Sequence, residues 1–95
     1  MTAKRAALPL GPRMNAAVAE LQELVRARYP TATFTVGPAE DDPDAVHIIA
    51  TVDMDDPDIV PDLVIDRMLD LQIGEGLPVF LIPIRTPERR VALLA

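Results

Sequence analysis

Ninety-five residues with a formal net charge of −6 make one small domain, and an apolar fraction of 49% excludes an intrinsically disordered acidic chain. The absence of cysteine excludes a disulfide framework, a thiolate zinc site and a cysteine nucleophile. With one tyrosine, two phenylalanines and no tryptophan, the core must be aliphatic.

Charge is placed unevenly. Residues 1–14 carry Lys4, Arg5 and Arg13; residues 36–70 carry eleven acids against Arg67; the stretch from Arg85 carries three arginines against Glu88. So acidic a centre repels a phosphate backbone, so direct nucleic-acid binding is not expected. No apolar run approaches the roughly 20 residues that span a bilayer. The opening MTAKRAALPLGPR has charge but only a stub of an apolar region. The chain therefore reads as cytoplasmic, with no membrane partner.

Residues 1–14 lack periodicity and hold Pro9, Gly11 and Pro12, which predicts a flexible N-terminal arm ahead of a single α+β domain over 15–95. A helix is predicted from Asn15, a competent N-cap, to Tyr29, where Pro30 blocks continuation. Met14, Ala17, Val18, Leu21, Leu24 and Val25 give the three-four spacing of one buried stripe. TATFTVG (31–37) then alternates threonine with Ala32, Phe34 and Val36, the period of a half-buried strand. GPAEDDPD follows as a long hairpin loop.

In the next strand candidate, VHIIATV (46–52), Val46, Ile48, Ala50 and Val52 share one face, while His47, Ile49 and Thr51 share the other. Asp56-Pro57-Asp58 starts a second helix, with an N-cap acid, proline at the first helical position and an acid at the positive end of the dipole. Pro61 conflicts with a regular first turn because it removes a donor and crowds the carbonyl of Pro57. Beyond it, Leu63, Val64, Met68, Leu71 and Gln72 form the expected inward face, with Gly74 as C-cap.

PVFLIPI (78–84) is apolar on both faces, with Val79 and Leu81 on one and Phe80, Ile82 and Ile84 on the other. Such a strand is covered on both sides, yet Pro83 confines it to an edge or a bulge. Thr86-Pro87-Glu88 opens a short C-terminal helix in which Val91 and Leu94 are expected to dock. Strand, helix, strand from Val46 to Ile84 is buried most simply by a right-handed crossover with the two strands parallel. The expected fold is therefore a small two-layer α+β sandwich of order αββαβ plus a short C-terminal helix, built on a three-stranded mixed sheet with both long helices on one face.

Candidate chemistry is sparse. Asp53, Asp55 and Asp58, with Asp56 beside them, are read as the dense carboxylate cluster at the end of a strand. Carboxylates leaving a strand suit Mg²⁺ in phosphoryl-transfer sites, but the spacing matches no calcium loop and no glycine-rich phosphate cradle precedes the helix. The simpler reading is helix capping and a solvated turn, with no metal and no cofactor. Asp58, Asp62, Asp66 and Asp70 recur every four residues, a repulsive spacing that invites a cation: Arg26, Arg28, the Arg85, Arg89 and Arg90 tail, or a basic partner protein. His47 is the sole histidine, in a chain without serine or cysteine, so it has no nucleophile to activate.

The functional expectation is a non-enzymatic, dimer-forming protein-interaction module whose interface comprises His47, Ile49, Thr51, Val79 and Leu81. Two other readings compete with it. One is a Mg²⁺-dependent phosphoryl-transfer or nucleotide-handling enzyme using Asp53, Asp55 and Asp58. The other is an acidic mimic of nucleic acid that occupies a basic partner.

Overall fold

The computed structural model describes residues 11–39, 42, 44–54 and 56–94, without the side chain of Leu93. Helix α1 (Pro12–Arg28) is followed by β1 (Thr33–Pro38), β2 (Val46–Val52), a helical segment over 57–74, β3 (Val79–Arg85) and α3 (Pro87–Leu94). β2 lies in the middle of a three-stranded mixed sheet, antiparallel to β1 and parallel to β3. A hairpin suffices to join β1 to β2, whereas parallel β2 and β3 require a crossover, and the 57–74 segment is that crossover. This is the small α+β fold that the order of elements predicts.

α1 begins earlier than Asn15. Gly11 caps it in an extended conformation and Pro12 takes the first helical position, where a missing N–H costs nothing. Residues 12–14 are therefore helical rather than part of an arm, and Met14 is buried. The remainder of the expected arm, 1–10, lies outside the described residues. Ala17, Val18, Leu21 and Val25 complete the buried stripe, while Leu24, expected on it, is exposed. Tyr29 ends the helix by donating its N–H to the Val25 carbonyl at 2.7 Å.

β2 alternates strictly. Val46, Ile48, Ala50 and Val52 are buried, while His47, Ile49 and Thr51 are half-exposed. The buried set meets α1 and the crossover in one aliphatic core, in which Leu21, Val25, Ile48, Val60, Val64 and Val79 are essentially inaccessible to solvent. Phe34 and Val36 of β1 pack at its border.

The crossover resolves the conflict posed by Pro61 by changing its winding. Pro57–Leu63 is a 3₁₀ helix, capped by Asp56, whose Oδ1 accepts from the Asp58 N–H at 3.1 Å. An α-helical path would set the Pro61 ring against the carbonyl of Pro57, and the tighter winding avoids that contact. Regular α geometry is limited to α2 (Ile65–Leu69), after which Asp70–Gly74 widens into a π turn. Val60, Val64, Met68 and Leu71 nevertheless all reach the core, whereas Leu63, expected inward, is exposed. The turn is completed by Gly76 rather than Gly74: Gly76 holds the one left-handed φ among the described residues, +68°, and the Leu77 N–H returns to the Leu71 carbonyl at 2.9 Å.

β3 differs most from expectation. The register pairs Val79 with Val46 and Leu81 with Ile48, so both side chains lie under the helices, 0% and 6% exposed. Val79 and Leu81 are core residues and do not belong to the open face of the sheet, which instead receives Phe80, Ile82 and Ile84. The physical reason is that all five are apolar, so composition carries no phase and only the register to β2 decides it.

α3 also departs from expectation. The Thr86 hydroxyl caps it by accepting from the Arg89 N–H at 3.2 Å, but Val91 and Leu94 are 64% and 80% exposed and dock on nothing among the described residues. Ile48→Ala is therefore expected to destabilise the protein by about 2–5 kcal/mol, whereas Val91→Ala and Leu94→Ala stay within about 0.5 kcal/mol of wild type. Chemical denaturation of the three variants checks both statements.

Candidate interaction surface

Among the described residues, one face of the sheet has no second layer. The registers place Thr33, Thr35 and Gly37 of β1, His47, Ile49 and Thr51 of β2, and Phe80, Ile82 and Ile84 of β3 on it together. Phe80 is 40% exposed, Ile84 is similar, and Ile49 and Ile82 are half-buried. None of these nine residues is an aspartate, glutamate, lysine or arginine, in a chain whose net charge is −6. Hydrophobicity is graded across the face, from threonines on β1 to Phe80, Ile82 and Ile84 on β3. Of the residues expected on this face, His47, Ile49 and Thr51 lie on it, whereas its β3 members are Phe80, Ile82 and Ile84 instead of Val79 and Leu81, because a strand apolar throughout carries no phase in its composition.

At the hairpin end of this face, the His47 and Phe80 rings meet edge to face, with centroids 5.9 Å apart and planes at 86°. They line a pocket of about 270 Å³ with Ala39, Asp42 and Ala45, at the small end of what small-molecule sites occupy. Asp42 Oδ1 is engaged by the Asp44 N–H at 3.1 Å, as expected of a turn acid.

The carboxylate cluster after β2 is dispersed by its own capping and pairing. Asp53 Oδ1 accepts from Arg89 Nε at 3.1 Å, Asp56 caps the 3₁₀ helix, and Asp58 lies in the first turn, facing solvent. Asp55 lies outside the described residues. Among the described residues no three acids or histidines are grouped to hold a metal ion.

Among the described residues, the ion pairs of Arg13, Arg26, Arg67 and Arg89 fall on acids other than Asp58, Asp62, Asp66 and Asp70. Arg67 donates to Glu20 of α1 through Nε at 2.6 Å and Nη2 at 3.1 Å, a bidentate fork, and lies 3.6 Å from Glu75. Arg13 joins the same group, donating to the Glu75 carbonyl at 2.9 Å. α1 and the crossover are thus tied together by charge as well as by core packing. Arg26 pairs with Glu23 within α1 and lies over the Phe34 ring, 5.0 Å from its centroid. Of the tail arginines, Arg89 reaches Asp53 rather than the crossover acids.

The Glu20 hydrogen bonds raise the Arg67 pKa above the ordinary arginine range; desolvation opposes them, and the charges of Glu20, Glu75 and Asp70 add to the rise. A raised pKa contributes stability that is complete below the ordinary arginine value and lost only as pH climbs through the raised one. On the arginine side, the fork is therefore insensitive to pH throughout the neutral range.

No protein-family model, curated protein or solved structure matches this chain. Among the described residues no helix is long and apolar enough to cross a membrane.

Asp53 gives one oxygen to Arg89 and Asp56 gives one to a cap, and the described acids are not grouped around a common point that could hold Mg²⁺. Millimolar Mg²⁺, Mn²⁺ or Ca²⁺ is therefore expected to leave the melting temperature unchanged. A saturable rise that disappears in Asp53→Asn and Asp58→Asn would instead restore a metal-dependent phosphoryl-transfer site.

Proposed function

We propose that the chain is a non-enzymatic protein-interaction module that associates with a second copy of itself through the open face of its sheet. The observation that carries this reading is the half-apolar face formed by Ile49, Phe80, Ile82 and Ile84, over which no described residue forms a second layer. A three-stranded sheet in a chain this short buries little surface by itself, and covering its second face adds the burial that a small domain lacks.

Charge favours a second copy over a basic partner at this face. Two molecules of net charge −6 repel at almost every approach. The open face is where they meet with no aspartate, glutamate, lysine or arginine among its nine described residues, and a basic partner would find nothing there to pair with. A two-fold arrangement also sets the apolar β3 side of one copy against that of the other, as self-complementary interfaces do.

The edges of the sheet argue against extension by an added strand. The Val46 N–H donates to the Pro78 carbonyl at 2.8 Å and the Thr86 N–H to the Val52 carbonyl at 3.2 Å, so even-numbered residues of β3 turn their backbone groups to β2. Pro83 therefore turns its donorless nitrogen to the free edge. On β1, the Ala39 N–H bonds the Ala45 carbonyl at 3.0 Å, which by the same alternation turns Pro38 outward. Both edges thus carry a proline where an incoming strand needs a donor, and the Val79 carbonyl is already taken by Gln72 Nε2 at 2.7 Å. Association by the face is what remains.

Sedimentation or light scattering at micromolar concentrations is expected to give twice the 10.3 kDa chain mass. Ile82→Asp and Ile49→Asp should return the protein to the monomer while keeping its far-ultraviolet dichroism. A monomeric wild type across that range would overturn the reading.

A further inference from the structure

The outward side of the crossover is a second surface of different character. Ile59, Leu63, Ile65, Leu69 and Ile73 are all exposed along it, Ile73 by 80%. Scattered exposed aliphatics are ordinary on any protein, but five within one 18-residue segment, each at least 36% exposed beside the core filled by Val60, Val64, Met68 and Leu71, set apolar surface among the acids of its solvent side. Exposed apolar surface rimmed by polar residues marks a place that a partner covers.

Its charge specifies the cover. Asp58, Asp62, Asp66 and Asp70 alternate with these aliphatics, all four exposed. Among the described residues none lies within salt-bridge distance of a cation. Arg67, the one base in the segment, is turned aside to Glu20 and Glu75. A second copy presenting the same surface would set aspartate against aspartate, so self-association cannot satisfy it. A cationic partner with apolar side chains satisfies both halves of the pattern.

We propose that the outward side of residues 57–74 docks a basic amphipathic segment of a different protein. The segment's leucine-like side chains pack among Leu69, Ile73 and their neighbours, and its lysines or arginines reach Asp62, Asp66 and Asp70. This surface lies on the layer opposite the open sheet face, so its occupation does not depend on self-association.

The test uses the full chain and two fluorescent synthetic peptides of equal length and charge, one of leucine and lysine in helical alternation, the other of serine and lysine. In anisotropy titrations the leucine-lysine peptide is expected to bind saturably, one per chain and about tenfold tighter than the serine-lysine peptide. The double variant Leu69→Ser, Ile73→Ser is expected to weaken it about tenfold. The triple variant Asp62→Asn, Asp66→Asn, Asp70→Asn should weaken it at least as much and remove most of its salt dependence. Ile82→Asp should bind like wild type, which separates a failure here from a failure of the dimer reading. Equal binding of the two peptides, indifference to the Leu69 and Ile73 changes, or no saturable binding would reduce the surface to a solvated acidic flank and overturn the proposal.

Discussion

The alternation along β2 fixes the rest of the structure. Side chains on a strand point to opposite faces by turns, and β2 is the central strand, so the choice of Val46, Ile48, Ala50 and Val52 as the buried set commits its neighbours through their registers. Phe34 and Val36 must then face the helices, and so must Val79 and Leu81. The remaining side chains of all three strands must face the other way. Because α1 and the crossover both lie on the first face, nothing within the described chain covers the second. Among the described residues the sheet is thus one-sided because α1 and the crossover share one face of it.

That layer is held by two kinds of interaction with different roles. Burial of Leu21, Val25, Val60 and Val64 against the sheet supplies the non-directional driving force. The Arg67 fork to Glu20, with Arg13 and Glu75 beside it, is exposed and adds little free energy of its own. Its bidentate geometry is directional, however, and it fixes the axial position of α1 relative to the end of the crossover. Packing of aliphatic side chains alone tolerates sliding, which such a fork does not.

Prolines shape the molecule by withholding donors. Pro12 starts α1 and Pro61 forces the crossover into 3₁₀ winding. The outward-facing Pro38 and Pro83 blunt the two sheet edges. Together with the distribution of charge, they frame the two surfaces proposed for association, and the two differ in kind. The open sheet face has no aspartate, glutamate, lysine or arginine among its described residues. The outward side of the crossover joins exposed aliphatics to aspartates that form no ion pair among the described residues, and the partner proposed for it is accordingly basic.

By itself the sequence determined the order of the elements, the alternation of β1 and β2 and the buried stripe of α1, because each is written in a local period that mixes apolar and polar residues. It also placed the disturbance at Pro61, since a missing donor is a covalent fact. It failed wherever neighbouring residues are alike. Val79 to Ile84 is apolar throughout, so which residues face the helices followed only from the parallel register with β2, and with it the membership of the open face. Leu24, Leu63, Val91 and Leu94 look like core residues in one dimension, and the fold leaves them outside the buried core. The pairing of Arg67 with Glu20, 47 positions away, and of Arg89 with Asp53 was equally beyond sequence reading. Charge complementarity says that partners exist, and only the fold, by bringing distant segments within a few ångströms, decides which ones meet.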